Sequence, residues 1–428
     1  MNSLSYPQES KKNRFLLAAL LGSLTALAPL AMDMYLPALP NIARDFEAST
    51  ALSQLSLMAC LIGLALGQLI AGPISDTVGR RKPLMIGLII FIAASLLCTV
   101  VTSIWTFILL RLIQGLAGSA GIVIARAIVR DHYEGSEMTK FFALLMLVNG
   151  VAPAAAPIVG GQMLRFTTWQ GVFVLLGILG ALMLLRSMFS LKESLPVERR
   201  QTGGFKQILG AMKILASDRL FVGYALSQGL VFAAMFAYIS GSPFVLQEIF
   251  NLSPQGFSAA FAVNSLGIIT AGQVFARVAA KIGEEKVLRI GLLTAALGGV
   301  TLCVMISIDA GLYGILIPLF FVVSSVGIVG TSAPSLAMQH HGAHAGSAAA
   351  LIGVAQMLLG ACMTPLVGLA GSQTAFPMGL IIMLCDLGAL CCYFFFVARA
   401  KKKTRISGSF IYGLLQLIVR NTLYWSIF

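Results

Sequence analysis

Three ionisable residues lie inside long apolar stretches of this sequence: Asp33, Arg111 and Asp386. A charge at the centre of a membrane-spanning segment costs about 3 kcal/mol or more, so each of them is a candidate functional group. Desolvation disfavours the charged form of a carboxyl, so a buried carboxyl holds its proton at a higher pH than an exposed one. A reversible proton carrier must bind and release its proton near neutral pH. An arginine keeps its proton and can instead hold a neighbouring carboxylate. The residues therefore predict proton binding at Asp33, with Arg111 as its electrostatic partner.

Each of the three residues also has a purely structural interpretation. Asp33 lies only a few residues from the end of its apolar run and could be exposed to water there. Arg111 could extend its long side chain to the nearer membrane interface. Asp386 could be a second protonation or cation-recognition site, or a peripheral carboxylate hydrogen-bonded to a helix.

The composition indicates a protein with many membrane spans. Of 428 residues, 58% are hydrophobic and 11% are charged, whereas an ordinary soluble domain has roughly 25% charged residues. The net charge of +13 does not point to nucleic acid, because nearly all charges lie in short loops between apolar runs. The seven cysteines lie inside those runs without metal-ligand spacing and are interpreted as small buried residues. A histidine cluster could be a metal or pH-sensitive site or a solvated loop: His340, His341 and His344.

Twelve apolar runs are long enough to cross a bilayer, whose core of about 30 Å requires roughly 20 residues per helix. They cover approximately residues 15–36, 52–72, 83–103, 105–127, 139–161, 170–190, 219–245, 257–278, 287–307, 311–334, 346–369 and 376–398. The sequence thus predicts an all-α polytopic membrane protein with twelve transmembrane helices in two six-helix pseudo-repeats. Its predicted parts are an N-terminus at 1–14, a first half at 15–190, a linker at 191–218, a second half at 219–400 and a tail at 401–428. The tail, basic and then apolar, is interpreted as an interfacial helix or a disordered extension.

The distribution of cations orients these spans. Only Arg44 and Arg165 lie in external loops, and Arg111 lies within a span, which leaves 26 of the 29 Lys and Arg residues on the opposite side. Because positive charge favours the cytoplasmic side of a membrane, both termini are predicted to be cytoplasmic.

A short polar segment at residues 72–83 joins the second and third runs and holds three cations, one acid and two glycines. Its acid, Asp76, could pair with nearby arginines or with a helix N-terminus, and the eleventh run begins near residues 344–347. An acid that bridges the two halves would latch the inner face; otherwise the cations only set the topology. The predicted gating loop comprises Gly72, Asp76, Gly79, Arg80, Arg81, Arg126 and Arg130.

The fifth run is unusually rich in glycine and proline. In a helix bundle, neighbouring helices and waters can satisfy the backbone groups that proline leaves free. The pattern predicts a kinked, closely packed helix that could act as a hinge, although ordinary tolerance of these residues in membrane helices is the alternative. The residues are Asn149, Gly150, Pro153, Pro157, Gly160 and Gly161.

These motifs together resemble those of a known family. The polar loop, the Arg-x-x-Gln-Gly sequence at Arg111 and the fifth run resemble the loop, proton-coupling and antiporter signatures of the major facilitator superfamily. The first run, with Thr25 and Asp33-Met-Tyr-Leu-Pro37, resembles the bicyclomycin and chloramphenicol resistance (Bcr/CflA) branch of bacterial drug:proton antiporters. The loop after the eighth run departs from the signature because it lacks the acid, which puts a symmetric second latch in doubt.

The resemblance implies export of small amphipathic drugs by alternating access, driven by protons. Asp33 would be the first-helix acid, Arg111 the proton-coupling arginine and Asp76 the gating acid. No cofactor is expected, and the expected partners are a small-molecule drug, protons and the lipid bilayer, with no nucleic acid and with the chain acting as a monomer in the bacterial inner membrane. Candidate residues of the substrate cavity are Met32, Tyr35, Gln114, Phe236, Tyr238 and Asp386.

The alternative transport function is proton-coupled uptake of a small metabolite, which the antiporter-like fifth run disfavours. An enzyme is not expected, because the sequence has no Ser/His/Asp set and no zinc pattern. The absence of a phosphate-binding Gly-rich loop also argues against direct use of ATP.

Overall fold

The structure is a computed structural model that describes residues 11–133, 135–200, 210, 213–339 and 345–399. Within these ranges the chain is helical and contains no strand. The histidine cluster, the tail and the centre of the linker lie outside the described residues. The twelve long helices of the described ranges are α1 (Lys11–Asp33), α2 (Thr50–Val78), α3 (Arg81–Leu97), α4 (Ile104–His132), α5 (Gly135–Met163), α6 (Trp169–Ser190), α7 (Arg219–Phe244), α8 (Pro254–Ile282), α9 (Glu284–Ser307), α10 (Gly311–Met338), α11 (Ala345–Val367) and α12 (Phe376–Cys392).

Eleven of the described helical segments have the length and hydropathy needed to cross a membrane. The remaining helix, α3, has 17 residues and a length of about 26 Å, at the lower limit of about 17 residues for a crossing helix. It ends at Leu97, whereas the third predicted span continues to residue 103. The predicted all-α fold is confirmed, and this third helix is shorter than expected.

The first membrane segment is longer than predicted and runs from Leu16 to Asp45. After α1 it continues as a 3₁₀ helix, Leu36–Ala38, and a short α-helix, Leu39–Asp45. Each of these short helices has a proline in its first turn. A proline is tolerated there, because the N–H it lacks would have no helical partner in any case.

Glycines allow α2 and α4 to pack with their backbones in contact. A β-carbon at Gly63 would overlap the Leu112 carbonyl, and one at Gly115 would overlap the Cys60 carbonyl. Small residues at helix contacts are the usual means of close packing in membranes, where no hydrophobic force draws helices together. The same device recurs between α8 and α10, where a β-carbon at Gly327 would overlap a backbone carbonyl of α8.

The two halves repeat one arrangement of helices. In the first half α1 packs against α4, α5 and α6, and in the second half α7 packs against α10, α11 and α12. The pair α2–α4 corresponds to α8–α10, and α3–α6 corresponds to α9–α12. Gly79 and Gly283, which precede α3 and α9, both have positive φ angles of 105° and 90°. This agreement supports the six-helix pseudo-repeat expected from the sequence.

The halves contact each other through α2 with α11 and through α5 with α8. Hydrogen bonds join them at the end of the bundle opposite the termini. There the Gln54 amide donates to the Ser240 carbonyl at 2.9 Å, and the Gln247 amide donates to the Pro37 carbonyl at 3.2 Å. The structure therefore shows the state in which this end of the bundle is held together.

Candidate functional site

The first helix ends at Asp33 for a reason visible in the sequence. To continue the helix, the Asp33 carbonyl would need the N–H of residue 37, and Pro37 has none. The chain turns at Met34 and Tyr35 before the 3₁₀ helix begins. Asp33 is 4% exposed, so the alternative of a water-exposed carboxylate at the helix end does not hold.

Arg111 is completely buried, with 0% of its surface exposed, and its side chain does not extend to a membrane interface. Its Nη1 donates to the Ala31 carbonyl at 3.0 Å and also to Oε1 of Gln114. Because Ala31 lies two residues before Asp33, these contacts hold the guanidinium beside the end of α1.

Gln114 connects Arg111 to α3. Its Nε2 donates to Ser95 Oγ at 2.7 Å, and Ser95 Oγ in turn donates to the Phe91 carbonyl at 2.7 Å. The sequence predicts Gln114 in the wall of a substrate cavity, whereas the structure buries it inside the first half, where both ends of its amide are used. Ser95 was not predicted, because a serine within an apolar run gives no pattern of its own.

Tyr35 lies against the face of the Arg111 guanidinium. The Cζ atom of Arg111 is 4.3 Å from the centre of the Tyr35 ring and 5.6 Å from that of Phe173. The Tyr35 hydroxyl is 3.1 Å from Ser56 Oγ on α2. A cation over aromatic rings in a desolvated site is stabilised by about 2 kcal/mol, which compensates part of the cost of burying Arg111.

Asp33 and Arg111 keep unused hydrogen-bonding capacity. Oδ1 of Asp33 and both Nε and Nη2 of Arg111 are buried without a partner. Both residues belong to the described part of the chain, and no ion pair within 4.0 Å joins them. The site thus holds an acid and a cation, each with buried atoms able to take a further partner.

The methionine and aromatic residues predicted to line the cavity come from both halves. Met32, Tyr35, Phe236 and Tyr238 are all buried in one hydrophobic cluster. The Tyr238 hydroxyl accepts a hydrogen bond from Nδ2 of Asn264 on α8 at 2.9 Å. Asn264 was not predicted, although an amide in the middle of an apolar run was a signal that could have identified it.

Asp386 lies on α12, in the second half. Its carboxylate is fully buried in α12, and neither oxygen has a partner among the described residues. A β-carbon at Gly299 on α9 would be 3.2 Å from Oδ2, so the carboxylate occupies the contact between α9 and α12 within the second half. The structure thus directs this side chain toward a neighbouring helix of its own half, and its place in a substrate cavity stays a prediction.

The outer end of α5 forms a close junction with both halves. A β-carbon at Gly160 would overlap the Met34 carbonyl, and one at Gly161 would overlap Ser258 Oγ on α8. Ser258 Oγ also donates to the Pro157 carbonyl at 2.6 Å. These three glycine and proline positions therefore join α5 to α1 and to the second half.

The inner positions of the same motif differ from this junction. Asn149 donates to the Leu145 carbonyl of its own helix at 2.8 Å. Gly150 is exposed, and a β-carbon there would have no neighbour within 4 Å. Pro153 lies within the continuous helix α5. Close packing is thus confined to the outer part of the predicted motif.

Asp76 of the predicted gating loop pairs with Arg80. Nη1 of Arg80 is 2.5 Å from Asp76 Oδ1 and 2.9 Å from Ser75 Oγ, and Nε is 2.9 Å from Asp131 Oδ2 at the end of α4. Arg80 is 2% exposed, so two carboxylates surround a buried guanidinium. Asp131 was not predicted, because its distance in sequence conceals the contact.

The other candidate partners of Asp76 do not pair with it. Arg81 donates to a backbone carbonyl of α6 at 2.8 Å, and Arg126 and Arg130 are exposed. The physical reason is geometric, because Arg80 lies one helical turn beyond Asp76 and reaches it directly. The predicted contact with the start of α11 involves side chains outside the described residues.

The two glycines of the loop have different environments. Gly79 has a φ of 105°, which side chains rarely adopt, and a β-carbon there would be 2.6 Å from Glu193 Oε2. A β-carbon at Gly72 would make an ordinary contact, 3.7 Å from the Val123 side chain. The backbone conformation therefore requires glycine at position 79 but not at position 72.

Glu193, just after α6, was not predicted and binds the start of α3. Its carboxylate accepts hydrogen bonds from the N–H groups of Arg80 at 2.8 Å and Arg81 at 3.2 Å. Glu193 is largely exposed, and the limited desolvation of its carboxylate by itself would raise its pKa. The N–H groups of Arg80, Leu195 and Arg81 and the Arg200 guanidinium outweigh this effect and lower the pKa below its ordinary value of 4.5. The linker is thus attached to the gating loop.

Comparison with known proteins identifies the family of this chain. The sequence matches the profile described as Major Facilitator Superfamily over residues 21–365. It is 45% identical over 375 residues to the uncharacterized MFS-type transporter YdgK of Bacillus subtilis, covering 87% of this chain and 93% of that protein. It is 30% identical to a chloramphenicol resistance protein of Pseudomonas aeruginosa (86% and 89% covered) and 29% identical to a bicyclomycin resistance protein homolog of Haemophilus influenzae (92% and 98% covered).

Solved structures share the fold. The xylose transporter XylE from E. coli, in a partially occluded inward open conformation, superimposes with a TM-score of 0.69 at 15% identity over 90% of this chain and 98% of that chain. The nucleoside transporter NupG gives a TM-score of 0.72 at 14% identity over 89% and 99%. The chain is a multi-pass membrane transporter of the major facilitator superfamily, and its relatives place it in the drug-resistance branch of that family.

Proposed function

We propose that this chain is a proton-coupled antiporter that exports small amphipathic drugs from bacterial cells. The observation that carries the proposal is the buried site in which Asp33 and Arg111 lie together with unused hydrogen-bonding atoms. The names of two relatives, a bicyclomycin resistance protein homolog and a chloramphenicol resistance protein, support a drug as the cargo.

The proposed location is the inner membrane, with both termini in the cytoplasm. In that orientation the hydrogen bonds between the halves close the external end. The drug would then enter from the cytoplasm, and the halves would separate externally in the other state. The chain would act as a monomer. It would need no cofactor, because the proton gradient supplies the free energy for transport.

The proposed coupling uses the change of charge at Asp33. While Asp33 is ionised, it would associate with Arg111 or with the bound drug. A proton arriving from outside neutralises the carboxyl, weakens that association and releases the drug. Loss of the proton to the cytoplasm restores the charge and allows the next drug molecule to bind.

The proposed drug contacts are apolar and aromatic. Met32, Tyr35, Phe236 and Tyr238 come from two helices that face each other across the halves, α1 with its extension and α7. Such surfaces hold apolar ligands with few fixed polar contacts, which suits compounds of different structure.

The test is transport by the reconstituted protein under an imposed pH gradient. We expect outward drug flux coupled to proton entry in the native protein and loss of this coupling in Asp33→Asn. Asp309→Asn is the matched control, because Asp309 is exposed in a loop and has a φ of 50°, which asparagine also tolerates. Undiminished proton-coupled transport by Asp33→Asn would contradict the role of Asp33, and drug flux in the direction of proton flow would indicate a symporter.

A further inference from the structure

Two arginines lie on a cluster of phenylalanines where α7 begins and α12 ends. Arg219 is the first residue of α7, and Arg399 follows the π-helical turn Tyr393–Ala398 that continues α12. Nη2 of Arg219 donates to the Phe395 carbonyl at 3.1 Å, and Cζ of Arg399 lies 4.4 Å above the Phe395 ring. The two guanidinium groups are therefore held against the same residue.

The aromatic contacts orient both cations and leave most of their donors unused. Cζ of Arg219 also lies 5.6 Å from the ring of Phe396. A guanidinium has five N–H donors, and Arg219 uses one of them on Phe395. Cζ of Arg399 lies over the Phe395 ring, and none of its N–H groups donates to another described residue.

Neither arginine has an acidic partner among the described residues, where no Asp or Glu oxygen lies within 4.0 Å of either guanidinium. The nearest acid in sequence, Asp218, accepts the Leu220 N–H at 2.9 Å and caps α7. Arg289, near the same end of the bundle, is by contrast paired with Glu285 at 3.0 Å. Arg219 and Arg399 are thus exposed cations without a counter-charge from the described chain.

The position of Arg219 and Arg399 relative to the membrane indicates what kind of anion could neutralise them. Phe394 and Phe395 are each 51% exposed, and they belong to the last turns of a membrane span, Phe376–Ala398. The arginines therefore lie at the level where the acyl region meets the headgroups. Three further cations, Lys401, Lys402 and Lys403, follow in the sequence, and basic residues next to a span attract anionic lipids.

We propose that Arg219 and Arg399 together bind the phosphate of an anionic phospholipid, whose acyl chains pack on Phe394 and Phe395. Guanidinium groups match phosphate oxygens with paired, charge-assisted hydrogen bonds. Inorganic phosphate offers the same oxygens, but it leaves the exposed aromatic surface uncovered, so we assign the site to the lipid.

The test measures lipid binding to the full-length protein in detergent. Phosphatidylglycerol, phosphatidylcholine or inorganic phosphate is added, bound lipid is counted by native mass spectrometry, and thermal unfolding is recorded in parallel. We expect phosphatidylglycerol to bind and stabilise the native protein more than phosphatidylcholine. Affinity should fall roughly fivefold for each arginine removed in Arg219→Gln and Arg399→Gln.

The control is Arg44→Gln with Arg165→Gln, two exposed arginines at the opposite end, which should leave binding unchanged. If the variant that combines Arg219→Gln with Arg399→Gln does not fold, the single variant Arg399→Gln is sufficient for the test. No hydrogen bond joins the Arg399 guanidinium to another described residue, so its loss should leave the fold intact. Replacement of both arginines by lysine should retain part of the binding. Undiminished phosphatidylglycerol binding by Arg399→Gln would overturn the proposal, as would equal stabilisation by inorganic phosphate.

Discussion

Nη1 of Arg111 donates a hydrogen bond to the carbonyl of Ala31, 3.0 Å away, and thereby connects the first half of α4 to the end of α1. The guanidinium is therefore part of the structure even without an ion pair to Asp33. Its remaining nitrogens, Nε and Nη2, are the atoms available for an ionised carboxylate or a drug. One residue thus combines a fixed position with spare donors.

Arg111→Lys should fold and lose about tenfold or more of its drug transport, equivalent to about 1.4 kcal/mol. A lysine keeps the charge but lacks the planar group that lies over Tyr35 and donates in several directions at once. The measurement is drug flux in proteoliposomes under a pH gradient. Arg165→Lys, at an exposed position, is the control, and native flux from Arg111→Lys would show that charge alone suffices.

Gly160→Ala should destabilise the protein by about 1–3 kcal/mol, as overpacking does elsewhere. The new methyl group would meet the Met34 carbonyl, a backbone atom that cannot move without separating α1 from α5. Gly150→Ala in the same helix meets nothing within 4 Å, and it should leave the stability equal or higher, because alanine favours helix over glycine by about 1 kcal/mol. Thermal unfolding in detergent compares the two, and equal losses would refute the contact.

Asp386→Asn should retain both folding and proton-coupled drug transport. The carboxyl group is buried between α9 and α12 without a partner among the described residues. A neutral amide of the same shape fits the same space, and a charge there would cost about 3 kcal/mol in a membrane. Flux under a pH gradient, compared directly with Asp33→Asn, checks this. A folded Asp386→Asn variant without coupling would instead assign a proton to this residue.

Glu193→Gln should weaken the attachment of the linker in a pH-dependent manner. Because the pKa of Glu193 is lowered in the folded protein, its contribution is present above the unfolded value of about 4.5 and disappears as the pH falls through the folded pKa. The side chain is exposed, so solvent screening limits the effect to roughly 0.2–1 kcal/mol. Thermal unfolding should separate the native protein from Glu193→Gln at pH 7 and make them coincide in acid. Glu198→Gln, in the same linker, should show no such difference.

Several properties follow from local sequence. Apolar runs near 20 residues identify membrane helices, because the cost of a polar residue in the bilayer is set by that residue alone. Asp33, Arg111 and Asp386 were therefore identifiable as ionisable residues within membrane spans, and residues 72–83 as a polar loop. The break in α1 was also predictable, because Pro37 lacks the N–H that Asp33 would need.

The tertiary structure decided which groups meet. It placed Gln114 against Arg111, Glu193 against the start of α3, and Asp386 in the contact between α9 and α12. It also determined that Arg80, of the four arginines that could pair with Asp76, forms the ion pair. Such choices depend on helices brought together by glycine contacts many residues apart, and no local pattern of hydropathy or charge specifies which faces of two helices will touch.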